Sequence, residues 1–276
     1  MPLVTMTREM GSLGKDVAQG LADRLGRPVV YHEIIDHLAD KMRLRKSHVI
    51  RFIEGKSNIW ERLTTDKTSL AIFTADETLR LAEAGGVSVI RGWGAAHLLR
   101  PIPHVICVRV CAPLELRVRR MQERLGTDER EHMEEEIRLN EEAHGAITRR
   151  HFGIDWRDPQ YYDLALNTER MSVDQCVDEV MSLIRDPRFR ETPESIAKLR
   201  NVSLQTQVRA ALRADPRTVK MNIIIEADDG KVTLSGVLER YLEPLHAEEV
   251  AAKVGGVKTI INKLRTALPP NYQQSF

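Results

Sequence analysis

One stretch near the start, Thr7-Arg8-Glu9-Met10-Gly11-Ser12-Leu13-Gly14-Lys15-Asp16, limits what this chain can fold into more than any other. Before it lies the apolar run Pro2-Leu3-Val4-Thr5-Met6, which has the length and character of a buried strand. After it, Val17–Leu25 carries apolar residues at helical spacing and stops at Gly26. Strand, glycine loop with a lysine, then helix is the layout of a phosphate-binding loop: backbone N–H groups and a helix N-terminus face an anion, and a lysine meets its charge. The fit to G-x-x-x-x-G-K-[ST] is partial. Gly14 and Lys15 match, Glu9 stands at the first glycine, and Asp16 stands where a hydroxyl would meet Mg²⁺. Aspartate is an oxygen ligand and can hold a metal directly or through water. The plainer reading is a glycine turn with an ordinary aspartate in the first turn of a helix.

Further along, β-prone runs alternate with helical ones. Pro28–His32, Val87–Ile90, His104–Val110 and Tyr162–Thr168 read as strands; residues 33–41, Thr68–Ala84, Leu114–Leu125, 128–152 and 172–185 read as helices. That alternation implies a parallel sheet in a three-layer α/β sandwich, with ligands beyond the carboxyl ends of the strands. The glycine loop, the Arg91–Gly94 turn and the helix start near Arg117 all fall at that edge. Residues 43–68 are polar and basic, read either as a lobe over a substrate or as a solvated helical pair. Residues 186–194, dense in charge and proline, read as a domain boundary. Beyond it a helix over Ser203–Ala214, a hairpin around Asp228-Asp229-Gly230, a helix over Tyr241–Val254 and a strand over Val257–Leu264 make a small α+β module of order αββαβ. The expected division is residues 1–186, a linker over 187–200, a second domain over 201–268 and a disordered tail over 269–276.

Composition narrows the partners. Charged residues make up 29% of the chain but nearly cancel at net +1, which argues against a general nucleic-acid binder and makes any anion site local. No run of about 18 apolar residues exists and the N-terminus has no secretory pattern. The three cysteines, Cys107, Cys111 and Cys176, form no disulfide framework, and the first two read as core residues of a strand. A cytoplasmic protein is expected.

The residues over roughly 3–185 resemble the cytidylate kinase-like family of P-loop nucleotide kinases. Thr7-Arg8-Glu9 and Gly11-Ser12-Leu13-Gly14-Lys15 resemble the family's opening motif, with Leu13 at a usual glycine. Val89-Ile90-Arg91-Gly92-Trp93-Gly94-Ala95 is similar to its V-I-V-G-R-G-A turn, with Trp93 at the arginine and Arg91 on the same face by strand alternation. Asp155-Trp156-Arg157-Asp158-Pro159, Tyr162-Asp163-Leu164 and Asn167-Thr168 match its C-terminal signature. In the lid, Glu141, His144 and Ile147 take the places of D-x-x-R-x-x-Y, and histidine is a poorer permanent cation than arginine. Residues 201–268 resemble a BON domain through Asp229-Gly230-x-Val232-x-Leu234-x-Gly236 and Gly255-Gly256-Val257.

The resemblance implies ATP and Mg²⁺ as cofactors and phosphoryl transfer to a nucleoside monophosphate or a similar small acceptor. Gly11, Ser12, Leu13, Gly14, Lys15, Asp16 and Val17 would hold the donor phosphates, with Ser12 and Asp16 near the metal. Lys15, Arg117, Arg120, Arg149 and Arg150 are the candidates for steadying the transferring group, and Tyr31, Asp36, Arg43, Arg91 and Trp93 for holding the acceptor. An alternative is a nucleotide-sensing protein of weak activity coupled to a BON interaction module. The ligand of that module and self-association stay open. The charge balance and the lack of a basic amphipathic helix argue against a membrane-surface adaptor.

Overall fold

The computed structural model describes residues 2–30, 67–92 and 94–267. The chain divides into two compact units, Met1–Ile196 and Ala197–Phe276.

The first unit is built on a five-stranded, all-parallel sheet of order β2-β3-β1-β4-β5, with β1 Leu3–Arg8, β2 Val29–Val30, β3 Val89–Arg91, β4 Val105–Cys111 and β5 Leu164–Asn167. β1 lies between β3 and β4, in register Val4 to Val89 and Val4 to Ile106. Strand alternation sorts side chains between the two faces. Val4, Met6, Ile106, Val108 and Val110 form one core with Val17, Ala18 and Leu21 of helix α1 (Gly14–Leu25) and Cys176, Val177 and Val180 of α6 (Val173–Arg185). On the other face the Cys107 thiol donates to the Ala96 carbonyl of α3 (Ala95–Leu99) at 3.3 Å, and α2 (Lys67–Ala84) packs on α3. Burial lifts the Cys107 thiol to about 11, so this cysteine is a core residue.

Helix ends follow local chemistry. Gly26 closes α1 in the left-handed region, at φ 62°, and its amide caps Ala22. Ser172 and Gln175 form a capping box at the start of α6. α4 (Leu114–Leu125) and α5 (Arg130–Phe152) follow β4 and pack through Val118, Met121, Met133 and Ile137.

Helix α7 spans Pro193–Ala214, ten residues ahead of the expected start at Ser203. Thr192 and Ser195 exchange backbone-to-hydroxyl hydrogen bonds at 2.9 and 3.2 Å, and proline suits a first helical turn, so the composition that reads as linker also serves as a helix start. Ser195 Oγ lies 2.8 Å from His104 Nδ1, just ahead of β4.

The second unit is a three-stranded sheet, β6 (Ile224–Asp228), β7 (Lys231–Leu238) and β8 (Thr259–Thr266), antiparallel then parallel. Its core joins Leu204, Val208 and Leu212 of α7, Val232, Leu234 and Leu238 of β7, and Ala247 and Val250 of α8 (Pro244–Ala252).

Candidate functional site

All strands of the first sheet run the same way, so the loop after β1, Gly92 after β3, the start of α4 after β4 and Thr168 after β5 share one edge. The loop Glu9–Lys15 is shaped from behind. Arg117 Nη1 donates to the Met10 carbonyl at 3.4 Å, Arg120 Nη1 to that of Gly11 at 3.5 Å, and the Thr168 hydroxyl to that of Ser12 at 2.9 Å. The Glu9 carbonyl accepts from the Ser12 amide and hydroxyl, at 3.2 and 2.8 Å. The Leu13 carbonyl accepts from the amides of Asp16 and Val17, both at 3.0 Å. With every carbonyl from Glu9 to Leu13 engaged, the amides of Met10, Gly11, Leu13, Gly14 and Lys15 meet no acceptor among the described residues. Loop amides left without an acceptor next to a helix N-terminus are an anion-binding nest.

Two glycines make this backbone accessible. Gly11 has φ 79°, and a Cβ there would lie 2.7 Å from the Arg117 carbonyl oxygen. A Cβ on Gly14 would lie 2.6 Å from the Cβ of Arg8. Leu13 takes the left-handed conformation, φ 59°, although it is not glycine.

Lys15 and Asp16 are exposed at the start of α1, Asp16 in its first turn. Ser12 is the residue expected with Asp16 near a metal. Its hydroxyl is fully buried and donates to the carbonyls of Glu9, at 2.8 Å, and Val110, at 3.1 Å, which helps to hold the loop's fold. Val17 is buried too, and its amide is used by Leu13. Asp16 is an exposed carboxylate beside the loop, a group that could hold Mg²⁺, an ion held through one or two carboxylates together with phosphate oxygens.

Arg120 bonds the Thr168 hydroxyl at 2.9 Å and carbonyl at 2.8 Å directly behind the loop. Arg117 is buried and pairs with Glu141 at 2.6 Å, so its charge is engaged inside the protein. Arg149 and Arg150 are exposed on the last turns of α5. Arg91 is buried on β3 opposite Met6. Tyr31, Asp36, Arg43 and Trp93 lie outside the described residues.

His144 stacks on Trp156 with ring centroids 4.3 Å apart and planes 5° from parallel. Arg109 lies over the same indole at 5.5 Å. Burial holds the His144 pKa down at about 4, so the ring is neutral near pH 7. His97 is lowered to about 4 for the same reason, and its ring contacts Phe152 and Tyr162. Sequence reasoning passed over Glu9, Arg109 and Thr168 as parts of the loop's support. Glu9 offered one signal: a carboxylate at a glycine position of a phosphate loop needs a cation to hold it.

Comparison with known proteins follows the two units. The sequence profile of the cytidylate kinase-like family matches residues 3–170, and that of the BON domain matches residues 201–267. The cytidylate kinase of Pyrobaculum aerophilum is 29% identical over 181 residues, 64% of this chain and 89% of that protein. Osmotically-inducible protein Y of Escherichia coli (strain K12) is 29% identical over 100 residues, 36% of this chain and 50% of that protein, so the chain spans half the length of that relative. The crystal structure of an uncharacterized protein from Eubacterium ventriosum shares the fold, with a TM-score of 0.53 at 20% identity over 67% of this chain and 98% of that one.

Proposed function

The chain belongs to the cytidylate kinase-like family, matched over residues 3–170, and from that premise we propose that its first unit transfers the γ-phosphoryl group of ATP to a nucleoside monophosphate or a similarly small acceptor. The observation that carries this reading is the nest of loop amides of Met10, Gly11, Leu13, Gly14 and Lys15, which meet no acceptor among the described residues, with the exposed Lys15 beside them. Phosphoryl transfer asks a protein for position and positive charge more than for a reactive side chain. The amides and Lys15 would hold the β- and γ-phosphates. Asp16 would hold Mg²⁺, which when bound offsets the charge developing between those phosphates. Arg149 and Arg150 would come to the transferring group from α5, and Tyr31, Asp36, Arg43, Arg91 and Trp93 are proposed for the acceptor. The BON unit would serve interaction or regulation, and a cytoplasmic setting fits a nucleotide-using enzyme. Among the described residues no helix is long and apolar enough to cross a membrane.

A second reading, nucleotide binding with weak transfer, draws on His144. Neutral near pH 7 and stacked on Trp156, it brings no charge to a lid position where the family carries arginine. Turnover of ATP with a panel of nucleoside monophosphates decides between the two. The transfer reading expects turnover in the native chain and a drop of about a hundredfold or more in Lys15→Ala, in line with the loss of one stabilising charge at a transition state. No turnover in the native chain, with ATP binding that depends on Lys15, would select the second reading.

A further inference from the structure

Arg117 is only 6% exposed, and its guanidinium serves three elements at once. Nε donates to the Ala112 carbonyl, just past β4, at 2.9 Å. Nη1 donates to the loop carbonyl of Met10 at 3.4 Å and to Glu141 Oε1 on α5 at 2.6 Å. Glu9 Oε2 lies 3.5 Å from Arg117 Nε, while Glu9 Oε1 accepts from Arg109 Nη2 at 2.6 Å. Alternating charges, Arg109, Glu9, Arg117 and Glu141, thus run from β4 through the base of the loop to α5. An apolar contact makes the same connection independently: the Met10 side chain packs on the α4–α5 cluster that contains Met121 and Ile137.

Glu9 and Arg117 are buried and Arg109 and Glu141 half-buried, so loss of one member leaves its neighbours less compensated in a poorly solvated place. The arrangement therefore changes as a unit. We propose that Arg117 and Glu141 are positioning residues that join the shape of the phosphate loop and the docking of α5 in one equilibrium. Donor phosphates that settle into the loop then tighten α5, and docked α5 tightens donor binding by the same factor, because such coupling is reciprocal. Helix α5 carries Arg149 and Arg150 two turns beyond Glu141, so the coupling would bring those cations in when the loop is filled. The inference rests on the reading that the loop takes the phosphates of ATP.

Replacing Arg117 takes the cation from Glu141 and the donors from the Ala112 and Met10 carbonyls at once, and risks loss of the fold. The test therefore uses Glu141→Gln, with Glu142→Gln, an exposed neighbour on the same helix, as control. Hydrogen exchange is followed in the full chain, with and without Mg²⁺ and ATP. Without nucleotide, Glu141→Gln should speed exchange in α5 and also at the Ser12, Asp16 and Val17 amides that lock the loop, by about fivefold or more. Peptides of α6 and of the second unit, and all peptides of Glu142→Gln, should stay as in the native chain. With nucleotide, ATP affinity should fall by a similar factor. Unchanged exchange in the loop, whether or not α5 loosens, overturns the proposal, and so does unchanged affinity in a chain that binds ATP. A native chain that binds no ATP would end the kinase reading instead, and the nucleotide-free comparison would still decide the coupling.

Discussion

At the scale of single residues, the loop depends on backbone conformations that few side chains permit. Gly11 combines φ 79° with an Arg117 carbonyl oxygen 2.7 Å from where a Cβ would sit. Neither the backbone of the loop nor that of α4 can yield without disturbing the carbonyl bonds that turn the amides outward. Gly11→Ala should therefore destabilise the first unit by about 1–3 kcal/mol and weaken ATP binding, as read by thermal unfolding and titration. Leu13 holds a left-handed conformation, φ 59°, with a Cβ in place. Leu13→Gly should therefore relieve strain and be neutral or stabilising by up to about 1 kcal/mol. Clear destabilisation by Leu13→Gly would mean that the leucine side chain, not the backbone, matters there.

At the scale of elements, α5 carries His144 against Trp156. The His144 ring is stacked on Trp156, and its Nε2 has no hydrogen-bond partner among the described residues. Its pKa in the folded state is about 4 against 6.5 for a free histidine, because burial disfavours the charged ring; nearby cationic groups add in the same direction. The unfolded chain then binds more protons than the folded one between those values. Stability from this residue is complete above about pH 6.5 and is lost as pH falls toward about 4, and His97 acts in the same sense. At about 1.4 kcal/mol for each pKa unit the two together have an upper bound of roughly 7 kcal/mol, and less where water reaches the rings. His144→Phe keeps a ring on Trp156 and removes the titration, so thermal unfolding should fall less steeply from pH 6.5 to pH 4. An acid limb identical to that of the native chain would show that His144 does not drive it.

At the scale of the whole molecule, each unit has its own hydrophobic core, one around the parallel sheet and one around β6–β8. A ligand stabilises the unit that binds it, by about 2.7 kcal/mol at a hundred times its dissociation constant. Calorimetry of the full chain should therefore resolve two transitions, with Mg²⁺ and ATP raising only one of them by several degrees. Two transitions that moved together on adding ATP would show instead that the units unfold as one.

What the sequence determined by itself is local: the strand, glycine loop and helix at the start, the alternation that makes a parallel sheet, and the hairpin and helices of the second unit. These follow from residue periodicity and from glycine at the turns, both of which act over a few positions. Within short range, the start of α7 at Pro193 was still obscured, because charge and proline mark a linker and a helix start alike. Tertiary structure alone decided the partners of the charged groups. Glu9 meets Arg109 from 100 positions away and Arg117 meets Glu141 from 24, and the Ser12 hydroxyl donates to the Val110 carbonyl. Such pairings depend on which strands lie side by side, and the order β2-β3-β1-β4-β5 brings together residues whose spacing along the chain carries no trace of it.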